Sequence, residues 1–110
     1  MNGWDDARLA GLARQAGEFL SSRGLRLVTA ESCTGGYLSK VLTDIPGSSD
    51  WFECGWACYS NRAKQRDLGV SAGTLAIHGA VSEAVVLELA LGALHAGGAD
   101  RAISISVVAG

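Results

Sequence analysis

The sequence predicts a layered α/β fold, with helices packed on a sheet, and three observations lead there. Segments with the composition or alternation of strands, at residues 25–30, 51–59 and 102–108, are separated by stretches of helical period. Helices lying between strands favour a covered sheet over a helical bundle. Fifteen glycines and a single proline among 110 residues fit tight turns between such elements.

The elements follow in order. Trp4, Leu9, Leu12, Ala13, Ala16, Phe19 and Leu20 recur at three- and four-residue spacing, so residues 5–22 read as an amphipathic helix stopped by Gly24. Residues 25–30 form the first strand and residues 35–42 the second helix. The turn chemistry of Asp44-Ile45-Pro46-Gly47-Ser48-Ser49 predicts a surface loop. Residues 51–59 read as a strand in which Gly55 permits a close backbone approach. Ser60 or Asn61 caps a short helix through Lys64 to Leu68, and Ser71 caps another that ends near His78-Gly79. Ser82 caps a helix from Glu83 to about His95. Its apolar residues lie on nearly all sides, which places it deep in the fold. Gly97-Gly98 stops it, and Ile103, Ile105 and Val107 alternate along the third strand. Small sheets under several helices usually have more than three strands. The edge is therefore expected to be completed by strands missing from this sequence or by a second chain.

Composition narrows the function. The chain is long enough for one domain, and its net charge of −2 comes without a basic face, which argues against nucleic-acid binding. No uninterrupted apolar run reaches bilayer length, and Asp5 and Asp6 sit where a secretory signal would begin. Three cysteines without framework spacing point to a reducing cytoplasm.

The run Thr29-Ala30-Glu31-Ser32-Cys33-Thr34-Gly35-Gly36, between a strand and a helix, is where chemistry concentrates. Such a turn presents a hydroxyl at the carboxyl end of a strand and aims backbone N–H groups at a phosphate or an oxyanion. Ser32 as a nucleophile needs a base. His78 and His95 have no conspicuous carboxylate beside them, so a Ser-His-Asp triad is unsupported. Lys64 is the alternative base, because it follows a strand end that a parallel sheet would bring to the same side; Tyr59 is placed to orient it or relay a proton. The bland alternative is a helix cap, a solvated lysine and a core tyrosine. Cys33 is a rival nucleophile at a helix start, or else a small packed residue. For Glu31 two roles stay open, substrate contact and capping of the turn. Ser48 and Ser49 read first as loop polarity or a cap, and second as the mouth of a site. Cys54 and Cys58 share a face but lack the partners of a metal site, and the Gly35-Gly36 turn lacks the lysine of a P-loop.

Several segments taken together resemble one family. They are residues 29–36, Leu42-Thr43-Asp44-Ile45-Pro46-Gly47-Ser48-Ser49, Tyr59-Ser60-Asn61-Arg62-Ala63-Lys64, Leu68-Gly69-Val70, His78-Gly79-Ala80-Val81-Ser82 and Gly98-Ala99-Asp100. Their order and spacing are similar to the CinA C-terminal domain family, from about residue 8 to the end. That family includes the nicotinamide-nucleotide amidases of bacterial pyridine nucleotide salvage. The resemblance implies a three-layer α/β/α domain with a mixed sheet. It implies hydrolysis of the carboxamide of nicotinamide mononucleotide to nicotinic acid mononucleotide and ammonia, with no metal or other cofactor. By position Ser32 looks like the nucleophile, Lys64 the base and Tyr59 its helper. Backbone amides around Cys33, Thr34, Gly35 and Gly36 would hold the oxyanion, with Glu31, Ser48 and Ser106 among the residues around the substrate.

Ser106-Val107-Val108-Ala109-Gly110 stands where the family has Thr-Gly-Ile-Ala-Gly followed by a glycine-rich loop and further strands. Val107 replaces a glycine where close substrate approach is expected. The expectation is therefore an incomplete pocket and a 110-residue form that is weakly active or inactive alone. The competing expectation is a non-catalytic relative that binds a nucleotide or a protein partner, and the open edge invites a homo-oligomer.

Overall fold

The computed structural model describes residues 6–32 and 34–106. The described elements are α1 (Asp6–Ser22), β1 (Leu27–Ser32), α2 (Tyr37–Thr43), β2 (Phe52–Ala57), α3 (Asn61–Leu68), α4 (Ala72–His78), α5 (Glu83–Gly97) and β3 (Arg101–Ser106). A 3-10 turn at Ser48–Asp50 overlaps the end of the segment expected to be a loop. The strands form one sheet in the order β2-β1-β3, and both pairings are parallel. The antiparallel member implied by a mixed sheet is not among the described strands.

β1 lies in the middle, and all six of its residues are buried. Alternation along the strand divides them between two layers. Leu27 joins Ala13 and Leu20 of α1, Leu42 of α2, Ile45 and Trp51 in one core. Val28 and Ala30 join Leu68 of α3, Val85, Leu89 and Ala93 of α5, and Cys58 in the other. The sheet thus has α1 and α2 on one face and α3 and α5 on the opposite face. No described helix is long and apolar enough to cross a membrane.

The sequence placed β1 two residues too early, because the strand continues through Glu31 and Ser32 rather than ending at Ala30. Short polar side chains suggested a turn there, but both are buried and the strand pairs as far as Ser32↔Ser106. The expectation that α5, apolar on nearly all sides, lies deep in the fold holds for one side only. Val85, Leu89 and Ala93 face the core, whereas Leu87 is 60% and Leu91 55% exposed. An apolar pattern reports composition, and only neighbouring elements decide which sides are covered.

Ser60, Ser71 and Ser82 are the N-caps of α3, α4 and α5, each accepting from a first-turn backbone N–H. Arg26 fastens the amino ends of the strands: its guanidinium donates to the carbonyls of Ser49, Asp50 and Phe52 and to Glu53 Oε1. Glu88 ties α5 to α4. Its carboxylate accepts from the backbone N–H of Ser71 at 2.8 Å and from Thr74 Oγ1 at 2.6 Å. These bonds, the Ser71 amide first, hold the Glu88 carboxyl below its ordinary pKa of 4.5.

Two outcomes follow from this packing. Glycine to alanine inside a helix ordinarily gains about 1 kcal/mol. At Gly92, however, the added Cβ would fall on the Leu68 carbonyl of α3. Gly92→Ala is therefore expected to lower stability by about 1–3 kcal/mol in thermal unfolding; a stabilised variant would contradict the close approach of α3 and α5. The depressed Glu88 pKa makes its contribution complete above pH 4.5 and lost as pH falls through the folded-state value. Denaturant unfolding of Glu88→Gln should show a deficit at neutral pH that narrows below pH 4.5; a constant deficit would rule out the linkage.

Candidate active site

Ser32 ends the central strand, with the same side-chain parity as Val28 and Ala30, which turns it toward the α3 and α5 layer. It is buried to 1% exposure. Lys64 comes to that layer from α3. With Leu68 one turn later it forms the buried stripe of this otherwise polar helix. A lysine as buried as Lys64, at 1% exposure, is rare without a specific use or partner. Its Nζ donates to the Tyr59 carbonyl at 3.0 Å. Tyr59 follows Cys58, whose N–H donates to the Glu31 carbonyl at 2.9 Å. This chain of bonds brings the amine to the carboxyl end of β1, where Ser32 lies.

Tyr59 touches Lys64 only through its backbone among these bonds. Tyr59 is 73% exposed, and its bond to the lysine amine comes from the backbone carbonyl, not from the phenol expected from the sequence to help it. The cause is the alternation at the end of β2, which turns Cys58 inward and Tyr59 outward. Burial, and then the charge of Asp67, push the Cys58 thiol above its ordinary pKa, and burial and Glu53 do the same to Cys54. Both cysteines pack in the α5 core, as their common face predicted.

Past Ser32 the chain turns through Gly35 and Gly36, with φ of 66° and 97°. Two successive left-handed residues suit glycine, and they deliver the chain to the start of α2. Cys33 lies outside the described residues. Glu31, on the opposite face of β1 from Ser32, points into α2. Its Oε1 accepts from Thr34 Oγ1 at 2.8 Å and the Leu38 N–H at 2.6 Å. Its Oε2 accepts from the Ser39 N–H at 3.0 Å and Ser39 Oγ at 2.8 Å. Four donors match the acceptor capacity of a carboxylate, so of its two open roles the geometry favours capping. The Thr34 hydroxyl is likewise directed at Glu31.

Ser106 faces Ser32 across the β1–β3 pairing, and its buried Oγ has no hydrogen-bond partner among the described residues. It lines a cavity of about 520 Å³ with Val81, Ser82, Glu83, Val86, Leu87 and Ser104. A buried hydroxyl without a partner is costly, and in a cavity wall it is available to a bound molecule. Ser48 is elsewhere. It begins the turn before β2, at the amino end of the sheet where Leu27 pairs with Phe52, and its Oγ donates to the Thr43 carbonyl. Within one chain the structure does not bring it to Ser32. Sequence reasoning missed Thr29 and Ser39, whose hydroxyls lie 2.8 Å apart beneath Gly55. Gly55 was the available signal, since a Cβ there would overlap both hydroxyls.

A family model described as the CinA C-terminal domain matches residues 9–110. The chain belongs to the CinA C-terminal domain family. Among relatives of this CinA domain, the nicotinamide-nucleotide amidohydrolase PncC of Escherichia coli K12 is 57% identical over 105 residues, covering 96% of this chain and 64% of the relative. A CinA-like protein of Chloroherpeton thalassium is 54% identical over 99 residues, covering 90% of this chain and 24% of the relative. The crystal structure of competence/damage inducible protein CihA from Agrobacterium tumefaciens matches with a TM-score of 0.91 at 40% identity, covering 97% of this chain and 64% of that one. The CinA superfamily protein from Enterobacter cloacae gives 0.90 at 44% identity, with 93% and 60% covered. The CinA domain described here therefore spans just under two thirds of the length of PncC.

Desolvation makes the buried Lys64 amine expensive, whereas an unbranched apolar chain of similar length would fit the same stripe. Lys64→Met is expected to unfold at or above the wild-type temperature. A large fall in Tm would make the lysine a structural tie through Tyr59 instead.

Proposed function

We propose that this CinA domain carries the centre of a cytoplasmic amidase that hydrolyses the carboxamide of nicotinamide mononucleotide to nicotinic acid mononucleotide and ammonia. The observation that carries the reading is the buried Lys64 amine at the carboxyl end of β1, on the sheet face to which Ser32 belongs. The 57% identity to the E. coli K12 nicotinamide-nucleotide amidohydrolase supports the substrate class.

Ser32 Oγ attacks the carboxamide carbon while Lys64 Nζ takes the hydroxyl proton. Charge gathers on the former carbonyl oxygen, and the backbone amides of the turn from Cys33 to Gly36 hold it. The tetrahedral intermediate collapses as Lys64 returns the proton to the departing nitrogen, which leaves as ammonia. Water, deprotonated by the same amine, then attacks the acyl-serine; Lys64 protonates Ser32 Oγ as nicotinic acid mononucleotide is released. The Tyr59 carbonyl orients Nζ throughout. Ser106, with its unpartnered hydroxyl opposite Ser32, contacts the substrate from β3.

Ammonia release from nicotinamide mononucleotide, measured on the domain extended to the full length of its PncC relatives, tests this directly. Ser32→Ala and Lys64→Met are each expected to reduce kcat by at least about 100-fold with the fold intact by circular dichroism. Activity of Ser32→Ala equal to wild type would remove the serine from the mechanism.

A further inference from the structure

We infer that Glu31 is a positioning residue for the proposed amidase, a buried clamp that holds the Ser32 turn in its reactive shape from the opposite face of the sheet. The inference rests on the reading of Ser32 as nucleophile and adds a residue to it. Glu31 is 1% exposed, and its carboxylate is the meeting point of three segments. Thr34 Oγ1 comes from the turn itself, the Leu38 and Ser39 N–H groups from the first turn of α2, and Ser39 Oγ links onward to Thr29 Oγ1 of β1.

Helix α2 starts without a local side-chain cap, because its N-cap is Gly36. Glu31 takes over that task from five residues upstream, in contact with the two N–H groups a cap would satisfy. It is also the neighbour of Ser32 along the chain. One end of the turn is thus fixed by β1 and the other by the carboxylate, with the two left-handed glycines between them. Gly55 completes the arrangement by leaving room for the Thr29–Ser39 pair.

A glutamine in this place cannot reproduce the clamp. The two oxygens each receive one backbone N–H and one hydroxyl. Whichever way the amide is turned, its NH2 group meets an N–H of α2 that cannot reverse its polarity, although a hydroxyl can rotate. Glu31→Gln therefore leaves one helix-start donor unsatisfied and loosens the turn with almost no change in volume.

The test compares Glu31→Gln, Thr34→Val and Thr34→Ser with wild type, and with Leu20→Val as a destabilised control in α1, which makes no bond to the Glu31 carboxylate. Two quantities are read: amide exchange at Leu38 and Ser39, and ammonia release from nicotinamide mononucleotide by the form extended to the length of PncC. Glu31→Gln should speed exchange at both amides and lower kcat by about 10- to 100-fold while KM stays near wild type, since the nucleophile is misplaced rather than the substrate site removed. Thr34→Val should fall in the same direction by less, and Thr34→Ser, which keeps the hydroxyl, should recover. Leu20→Val should lose stability without losing kcat. Faster exchange with unchanged kcat would make Glu31 a structural cap only, and unchanged exchange would refute the clamp itself; either overturns the inference. Wild-type activity in Ser32→Ala would instead overturn the amidase reading, and the positioning role with it, while exchange would still decide whether the clamp exists.

Discussion

The burial of β1 on both faces is the constraint from which the rest of the structure follows. A strand with all six residues inside must be covered by two layers, and its side chains must serve two different environments in alternation. Leu27, Thr29 and Glu31 meet α1 and α2; Val28, Ala30 and Ser32 meet α3 and α5. The polar residues at its carboxyl end are therefore not loop residues that happen to be near a site. They are core positions whose polar atoms have to be satisfied by specific partners.

That requirement separates Glu31 of β1 from Ser106 of β3. Glu31 has its partners within the protein, in the turn and the start of α2. Ser106, paired with Ser32, has a buried hydroxyl with no partner among the described residues, and the cavity beside it is the natural place for a ligand to supply one. The carboxyl end of the sheet thus combines a satisfied network at Glu31 on one face with the Ser106 hydroxyl, unpartnered among the described residues, on the other. Close backbone approaches support both. Gly55 admits the Thr29–Ser39 pair, and Gly92 lets α5 settle against the Leu68 carbonyl of α3, the helix that bears Lys64.

The sequence exposed most elements because the capping serines, the helical periods and the left-handed glycines are local signals. Ser60, Ser71 and Ser82 start their helices by bonds spanning only two or three residues. The misplaced end of β1 and the overstated burial of α5 have the opposite origin. Whether Ser32 continues a strand depends on its pairing with β3, more than 70 residues away. Whether Leu87 is covered depends on which elements lie against α5. Neither is written in the neighbouring residues.

By itself the sequence determined the layered α/β class, the strand-turn-helix at Ser32, the pairing of Ser32 with Lys64 as candidates, and the family to which their spacing belongs. Only the tertiary structure decided what each polar group touches. It turned the Tyr59 ring outward and gave its carbonyl to Lys64, moved Ser48 to the far end of the sheet, and committed Glu31 to the start of α2. The physical reason is that residue type sets the chemistry a side chain can perform. Its partners are set by strand alternation and by contacts between segments remote in the chain, and local sequence does not encode those.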